Sequence, residues 1–209
     1  MGAVNGAAIA SMPIDRIFTA IGNEGWAVTG DFLAASVIAA LAQDARRRDA
    51  AGEFHEAGVG RGCERRRLAH IRGDRIAWLD QAEVNSATRP WWDELERLRV
   101  ALNGALFLGL LSFEGHYAIY PPGASYRRHR DRFRDDDERV LSCALYLNES
   151  WTEADGGALR LYIDRGETRD VLPVAGTLVC FLSDRFEHEV LPATRERLAL
   201  TGWFRRRAM

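Results

Sequence analysis

The sequence contains no lysine, and all 28 basic residues are arginine. This absence excludes Schiff-base chemistry and a phosphate-binding P-loop, which both depend on a lysine amine. Cysteine is also scarce, because Cys63, Cys143 and Cys180 form no Cys-x-x-Cys pair and their odd number argues against a disulfide framework. No apolar run is long enough to cross a bilayer, and residues 1–13 have no basic residue ahead of their apolar stretch. We therefore expect neither a membrane span nor a secretory signal.

What remains is typical of one globular enzyme domain. The chain has 209 residues, of which 47% are hydrophobic and 28% charged, and a formal net charge of −2. That charge provides no general attraction to nucleic acid, so nucleic acid is not an expected partner. We expect residues 1–13 to form a flexible leader, residues 14–209 a single domain, and the protein to be cytoplasmic. The sequence leaves the oligomeric state open, and a monomer is favoured.

The domain divides into a helical N-terminal third, residues 14–112, and a β-rich core, residues 113–207. We expect a short helix over residues 13–21, a strand over residues 26–29 and a helix capped by Asp31. Another helix should follow Thr88, with Pro90 in its first turn. From Phe113 onward, short alternating segments between Gly, Pro and Asp turns indicate a β-sandwich or barrel.

A Gly- and Arg-rich stretch separates these helices, within residues 50–74. Its glycines favour a mobile loop, although a plain disordered connection would have the same composition.

The most informative motif is His129-Arg130-Asp131, together with His188 much later in the chain. Residues i and i+2 of a strand point to the same side, so His129 and Asp131 can hold one ion together. Two imidazoles and one carboxylate on a single face of an octahedron are typical of a non-haem Fe(II) oxygenase. Taken alone, a His-x-Asp pair is more often solvated or satisfied locally.

Strand alternation adds an anion-binding group to this motif. In the segment 197–204, Arg197, Thr201 and Trp203 share one face, and the other face is apolar. A guanidinium fork on the inner face can hold the distal carboxylate of a keto acid that chelates iron. In the segment 140–148, Tyr146 also points inward, where its hydroxyl needs a partner. An ordinary core tyrosine bonded to a carbonyl is the alternative.

With these features in place, the chain resembles the 2-oxoglutarate- and Fe(II)-dependent prolyl hydroxylases, in the branch of the hypoxia-inducible-factor prolyl hydroxylases and their bacterial relatives. The matching segments run in family order from about residue 15 to the end. They are Ile71-Arg72-Gly73-Asp74-Arg75-Ile76-Ala77-Trp78, Tyr120-Pro121-Pro122-Gly123, Tyr126 to Asp131, Tyr146-Leu147-Asn148, Gly156-Gly157-Ala158-Leu159-Arg160-Leu161, Ser183-Asp184-Arg185, His188-Glu189-Val190, and Arg197 to Trp203.

The resemblance implies a double-stranded β-helix, a jelly roll of mainly β structure in an α+β chain, with N-terminal helices packed on its larger sheet. It implies Fe(II) ligands His129, Asp131 and His188, and 2-oxoglutarate contacts from Arg197 and Tyr146 with Thr201 beside them. It further implies that aromatic residues line the pocket and that several side chains face the substrate. The pocket aromatics are Tyr126 and the two cofactor-binding candidates Tyr120 and Trp203, and the substrate-facing candidates are Tyr126, Arg128, Arg72 and Asp74. His116 departs from the family, which has an apolar residue there, but it shares the parity of Tyr120 and is a further substrate-facing candidate. A plain surface or core histidine is the alternative.

The implied reaction is the hydroxylation of a prolyl residue in a protein to 4-hydroxyproline. It consumes O₂ and 2-oxoglutarate and releases succinate and CO₂, with ascorbate as a candidate reductant. Relatives in bacteria suggest a translation factor such as elongation factor Tu as the substrate. Two alternatives stay open at this stage. One is an oxygenase acting on a free amino acid, a small metabolite or a nucleic-acid base, and the other is a non-catalytic metal-binding module of the same fold.

Overall fold

A computed structural model describes residues 13–58, 71–131 and 138–207 of the chain. Within them the structure has three α-helices, which are α1 (Pro13–Glu24), α2 (Ala35–Ala50) and α3 (Arg89–Leu106). It also has eleven strands, which are β1 (Trp26–Thr29), β2 (His55–Glu56), β3 (Arg75–Leu79), β4 (Ser112–Tyr120), β5 (Tyr126–His129), β6 (Arg139–Tyr146), β7 (Leu159–Tyr162), β8 (Thr168–Val171), β9 (Leu178–Leu182), β10 (Glu187–Val190) and β11 (Arg197–Arg205).

The strands form two antiparallel sheets. The larger sheet has the order β1-β9-β6-β11-β4-β3-β2, and the smaller has the order β5-β10-β7-β8. Strand β11 lies at the centre of the larger sheet, where it pairs with β4 on one side and β6 on the other. Side chains of β11 therefore contribute to apolar layers on both faces of the larger sheet. The two sheets confirm the predicted jelly roll.

Two apolar layers hold the sheets and helices together. One layer lies between the helices and the larger sheet, and it joins Trp91, Leu95 and Leu98 of α3 to Leu198 and Leu200 of β11. The other layer lies between the two sheets and is formed by side chains on the opposite face of the same strands of the larger sheet, together with side chains of the smaller sheet. It includes Ala118, Ala144, Tyr146, Leu161, Val179 and Ala199. The predicted alternation of side chains between the two faces of β6 and β11 is therefore confirmed.

Helix α3 follows directly from its sequence. Thr88 occupies the N-cap position, Pro90 lies in the first turn, and the buried residues repeat at helical spacing. The helix ends at Leu106 because Phe107 adopts a left-handed conformation, with φ of 54°. The predicted helix after Thr88 is confirmed.

The predicted cap of α2 is wrong. The helix begins at Ala35, its N-cap residue is Ala34, and no side chain caps it. The Asp31 carboxylate instead accepts hydrogen bonds from the Thr29 hydroxyl and the Arg16 guanidinium, so it ties β1 to α1. These two bonds turn the carboxylate towards β1 and α1, and the helix begins only four residues later, at Ala35.

Parts of several predictions lie outside the described residues. They are residues 1–12 of the predicted leader and residues 59–70 of the Gly- and Arg-rich stretch, with Cys63. Among the helices that the structure describes, none combines the length and the hydropathy needed to cross a membrane.

Candidate active site

Three candidate metal ligands converge at one end of the smaller sheet. His129 is the last residue of β5, Asp131 follows two residues later, and His188 lies on β10 directly opposite His129. One ligand atom from each side chain can be chosen so that all three lie within 4.8 Å of one another. A break in the β5–β10 register between His188 and Val190 changes the alternation of β5. As a result both Tyr126 and His129 line the same cavity.

The hydrogen bond of His129 determines which ring nitrogen can bind a metal. Its Nδ1 lies 2.7 Å from the carbonyl oxygen of Arg127. A carbonyl only accepts, so in the neutral imidazole Nδ1 carries the proton and Nε2 keeps its lone pair. That Nε2 lies 3.6 Å from Oδ1 of Asp131, on the side where the ligands meet. The ring of Tyr126 stacks on the imidazole at 3.6 Å, and the Arg72 guanidinium lies 4.8 Å from the centre of the Tyr126 ring.

The local electrostatics keep the other two ligands in their metal-binding protonation states. Burial lowers the pKa of His188 to about 4, although the neighbouring Asp131 opposes that shift, so the imidazole is neutral at pH 7. Burial alone would raise the pKa of Asp131. The imidazoles of His188 and His129 and the hydroxyl of Ser142 outweigh it and hold the pKa of Asp131 below its usual range. Neutral imidazole and carboxylate are the forms that bind a divalent cation.

Ser142 was not assigned a role by the sequence analysis. Its Oγ lies 2.6 Å from Oδ2 of Asp131 and 2.9 Å from Oγ of Ser183, and both serines are buried. Its position on the inward parity of β6, shared with Ala144 and Tyr146, was the available signal. Nothing in the sequence pattern indicated that Ser183 would lie behind it.

Arg197, the first residue of β11, is a buried cation that lines the same cavity and is only 3% exposed. Its Nε donates to the carbonyl oxygen of Gly157 at 2.9 Å. The guanidinium carbon lies 4.9 Å from the centre of the Tyr146 ring and 5.2 Å from that of Tyr120. No acidic side chain among the described residues pairs with it. A buried guanidinium without a counter-ion favours the binding of an anion.

Tyr146 lies beside Arg197, and its hydroxyl is available to donate a hydrogen bond. It is fully buried, and its hydroxyl has no hydrogen-bond partner among the described residues. Burial raises the pKa of Tyr146 to about 12 even though Arg197 acts in the opposite direction, so the hydroxyl remains protonated and can donate. Thr201 lines the same cavity, two strand positions beyond Ala199, which is opposite Tyr146 in the β11–β6 register.

Two other residues of the sequence motifs hold this region in shape. The Asn148 amide donates to the carbonyl oxygens of Pro173 and Leu198 at 2.8 and 2.9 Å and accepts from the Leu198 backbone N–H at 2.7 Å. It therefore fixes the start of β11 beside Arg197. Gly157 has φ of +69°, and a Cβ there would lie 2.9 Å from that of Ala193 and 3.3 Å from Cδ of Arg197. Only glycine allows its carbonyl to meet the guanidinium in this way.

Tyr126, Trp203, His116 and Arg72 also line the cavity. His116 is buried, its ring centre is 4.9 Å from that of Trp78, and its Nε2 is 3.4 Å from Nη2 of Arg72.

The remaining two substrate-facing candidates are not in the cavity wall. Asp74 is buried behind Arg72 and accepts two hydrogen bonds from its guanidinium, at 2.7 and 2.9 Å. Arg128 is exposed, where it donates to Glu187 at 2.8 Å and lies over the ring of Tyr162 at 3.7 Å.

Comparison with known proteins agrees with this geometry. The family model of the 2OG-Fe(II) oxygenase superfamily matches residues 115–205, which contain the three candidate ligands and Arg197. The chain is 29% identical over 205 residues to the Caenorhabditis elegans hypoxia-inducible factor prolyl hydroxylase, and 34% identical over 143 residues to human Egl nine homolog 1. These alignments cover 91% and 64% of the chain, but only 28% and 33% of the respective relatives.

The matches to solved structures cover most of both chains. The chain is similar to a Pseudomonas putida prolyl-4-hydroxylase, with 49% identity, a TM-score of 0.84, and coverage of 93% of this chain and 99% of that one. It is also similar to a Trichoplax adhaerens prolyl hydroxylase solved with a peptide fragment of a hypoxia-inducible factor. That match has 27% identity and a TM-score of 0.82, and it covers 92% of this chain and 88% of that one.

Proposed function

We propose, from the premise that this chain belongs to the 2OG-Fe(II) oxygenase superfamily in its prolyl hydroxylase branch, that it hydroxylates a prolyl residue of a protein substrate. The observation that carries the proposal is the pairing of two groups in one cavity. A His129, Asp131 and His188 cluster lies near a buried Arg197 that has no acidic partner among the described residues. A site for metal alone has no use for the second group.

The residues present fit Fe(II) and 2-oxoglutarate. Two neutral imidazoles and one carboxylate would hold the metal and leave open positions on an octahedral ion. Arg197 would bind the distal carboxylate of 2-oxoglutarate, and the unpartnered Tyr146 hydroxyl would donate to the same carboxylate. Thr201 and Tyr120 would complete the wall of this part of the cavity. Arg197 and Tyr146 would gain from the co-substrate the partners that they lack among the described residues. Thr201 and Tyr120 would face the space that the co-substrate occupies.

When bound, Fe(II) and 2-oxoglutarate supply the oxidation of a C–H bond, with O₂ consumed and succinate and CO₂ released. The protein contributes position and a dry environment. Arg197 and Tyr146 would orient the co-substrate, while the Arg127 carbonyl keeps the His129 proton on Nδ1 and away from the metal side. The apolar layer between the sheets, which includes Leu159, Phe181 and Val190 at the cavity, excludes water from the reacting atoms.

The substrate would enter the cavity that holds the metal ligands, where it would meet Tyr126, Trp203, His116 and Arg72. Aromatic faces suit the apolar ring of proline, and Arg72, held by Asp74, can donate to a backbone carbonyl of the substrate. Arg128 would meet the substrate only at the outer rim. Elongation factor Tu is our candidate substrate, and ascorbate is the candidate reductant that keeps the iron in its Fe(II) form. We further propose that residues 14–209 act as one catalytic domain in the cytoplasm, where iron and thiols stay reduced.

The experiment is a turnover assay with the purified chain, Fe(II) and 2-oxoglutarate. It measures succinate release and, by mass spectrometry, the gain of one oxygen atom on a prolyl residue. Substrates to compare are elongation factor Tu, a library of proline-containing peptides, free proline and alkylated DNA. We expect the protein or the peptides to stimulate succinate release. Stimulation by free proline or alkylated DNA alone would instead assign a different substrate class. The Asp131→Ala variant should lose iron retention and turnover together, and full activity in it would refute the ligand assignment.

A further inference from the structure

Ser142 forms a hydrogen-bonded chain that ends on Asp131. Its Oγ is 2.6 Å from Oδ2 of Asp131, and Oγ of Ser183 lies 2.9 Å behind it. The two serines are 2% and 0% exposed, so each belongs to the protein interior and not to a solvated rim. They come from two neighbouring, paired strands of the larger sheet, since Ser142 is in β6 and Ser183 directly follows β9.

The hydrogen bonds from Ser183 to Ser142 and from Ser142 to Asp131 can run in one direction only. An ionised carboxylate can only accept, so the single O–H of Ser142 must be donated to Asp131. The Ser142 oxygen is then available as an acceptor, and the Ser183 hydroxyl donates its own proton to it. Ser183 thus holds Ser142 in the orientation in which it donates to the carboxylate. A hydrogen bond to a charged acceptor is also among the stronger ones in proteins.

The two oxygens of Asp131 are thereby made unequal. Oδ1 lies 3.6 Å from Nε2 of His129 and Oδ2 lies 3.6 Å from Nε2 of His188, so both border the space where the ligands meet. Only Oδ2 carries the serine hydroxyl. We infer that Ser142, supported by Ser183, is a positioning residue that makes Asp131 bind the metal through one oxygen, Oδ1. This inference rests on the proposed metal ligands His129, Asp131 and His188.

Binding through one oxygen matters because of the number of positions on the ion. A carboxylate can bind a cation with one oxygen or with two, and a second oxygen takes one more coordination position. Two imidazoles and one oxygen leave three positions of an octahedron, which are the two that a keto acid needs and one for O₂. If Asp131 bound through both oxygens, only two coordination positions would remain, which is too few for a keto acid and O₂ together. Ser142 therefore preserves the open position on which the proposed reaction depends.

The test compares Ser142→Thr with Ser142→Val, because these variants have nearly the same shape and only threonine keeps a hydroxyl. The probe is Mn(II) alone, without 2-oxoglutarate or substrate. Its dissociation constant is measured by titration, and the number of water molecules on the bound ion is measured by water-proton relaxation. Loss of a partner behind a metal ligand typically weakens metal binding by about 10- to 100-fold. Ser142→Ala repeats the comparison with a smaller side chain, in case neither larger residue folds.

We expect wild type and Ser142→Thr to bind Mn(II) alike, with the same number of bound waters. Ser142→Val and Ser142→Ala should bind it about 10- to 100-fold more weakly or retain fewer waters per ion. Ser183→Ala should show a smaller change in the same direction, and Ser112→Ala, on the exposed start of β4, should show none. Equal affinity and equal hydration in the Thr, Val and Ala variants would overturn the inference and leave the proposed function intact. A wild-type protein that binds no Mn(II) would overturn both.

Discussion

Arg197 provides a demanding test of this account, because its replacement should leave the free protein stable while removing ligand binding. In Arg197→Met the protein loses one hydrogen bond, from Nε to the Gly157 carbonyl, which contributes about 1 kcal/mol. It also loses a buried guanidinium that has no acidic partner among the described residues. Taking such an ion out of water costs several kcal/mol, and the faces of Tyr146 and Tyr120 return about 1–2 kcal/mol of it. We therefore expect the free energy of unfolding of the apoprotein to stay within about 1 kcal/mol of wild type, or to rise.

The ligand-bound protein should behave differently. A ligand at about 100 times its dissociation constant stabilises the folded state by about 2.7 kcal/mol. For a chain of this length each kcal/mol shifts the melting temperature by roughly 2–4 °C. Mn(II) with 2-oxoglutarate should accordingly raise the melting temperature of the wild type by roughly 5–10 °C beyond Mn(II) alone. Arg197→Met should lack this increment.

Thermal unfolding followed by circular dichroism measures both quantities. Arg195→Met is a matched control, because Arg195 is a nearby arginine with a side chain 42% exposed that pairs with Asp155 at the surface. It should keep the full 2-oxoglutarate increment. The reasoning is refuted if Arg197→Met destabilises the apoprotein by about 3 kcal/mol or more, since Arg197 would then hold the fold together. It is equally refuted if the variant keeps the increment.

Three further predictions follow from the structure. The pKa of His188 falls from the ordinary 6.5 to about 4 in the folded protein, so between these values the unfolded chain binds the extra proton. The free energy of unfolding of the metal-free wild type should therefore fall as the pH drops from about 6.5 towards 4, with no such loss above pH 7. Urea titrations at each pH measure it, and His188→Gln should show a shallower pH dependence than wild type. Asn148→Ala should lower the free energy of unfolding by about 3 kcal/mol, because three backbone groups lose their partner, and a loss under about 1 kcal/mol would contradict that role. Leu98→Ala, at a fully buried position of α3, should cost about 2–5 kcal/mol in the same assay with no change in Mn(II) affinity, so altered affinity would show that α3 reaches the site.

The fold was predictable where the sequence pattern has one dominant cause. The parity of β6 and β11 follows from one face packing on helices and the other on a second sheet, so Tyr146 and Arg197 could be placed inside from alternation alone. Helix α3 was equally clear because its N-terminal signal and its apolar spacing agree. The start of α2 was not, because Asp31 has a partner on another helix, Arg16, and such tertiary contacts leave no local signal.

The candidate site shows the same division. The residue types and spacing of His129, Asp131 and His188 indicated a metal centre before any coordinates. The break in the β5 register that turns Tyr126 towards His129 depends on how β5 pairs with β10, which the sequence does not specify. Ser183 and the Gly157 carbonyl reach the site only through chain pairing over long sequence separations. Arg128 contacts Glu187 of β10 and Tyr162 of β7, and these partners too depend on strand pairing that the sequence does not specify.

The central claim is that one cavity binds Fe(II) and 2-oxoglutarate together, and anaerobic titration of both into the metal-free protein tests it most directly. Two-point chelation of Fe(II) by a keto acid gives a weak visible charge-transfer band. The account predicts that this band appears in the wild type and in Arg195→Met, and that it is lost in Arg197→Met at the same 2-oxoglutarate concentration. Bound iron with no band in the wild type would contradict the account, because the cavity would then be a metal site without a keto-acid clamp.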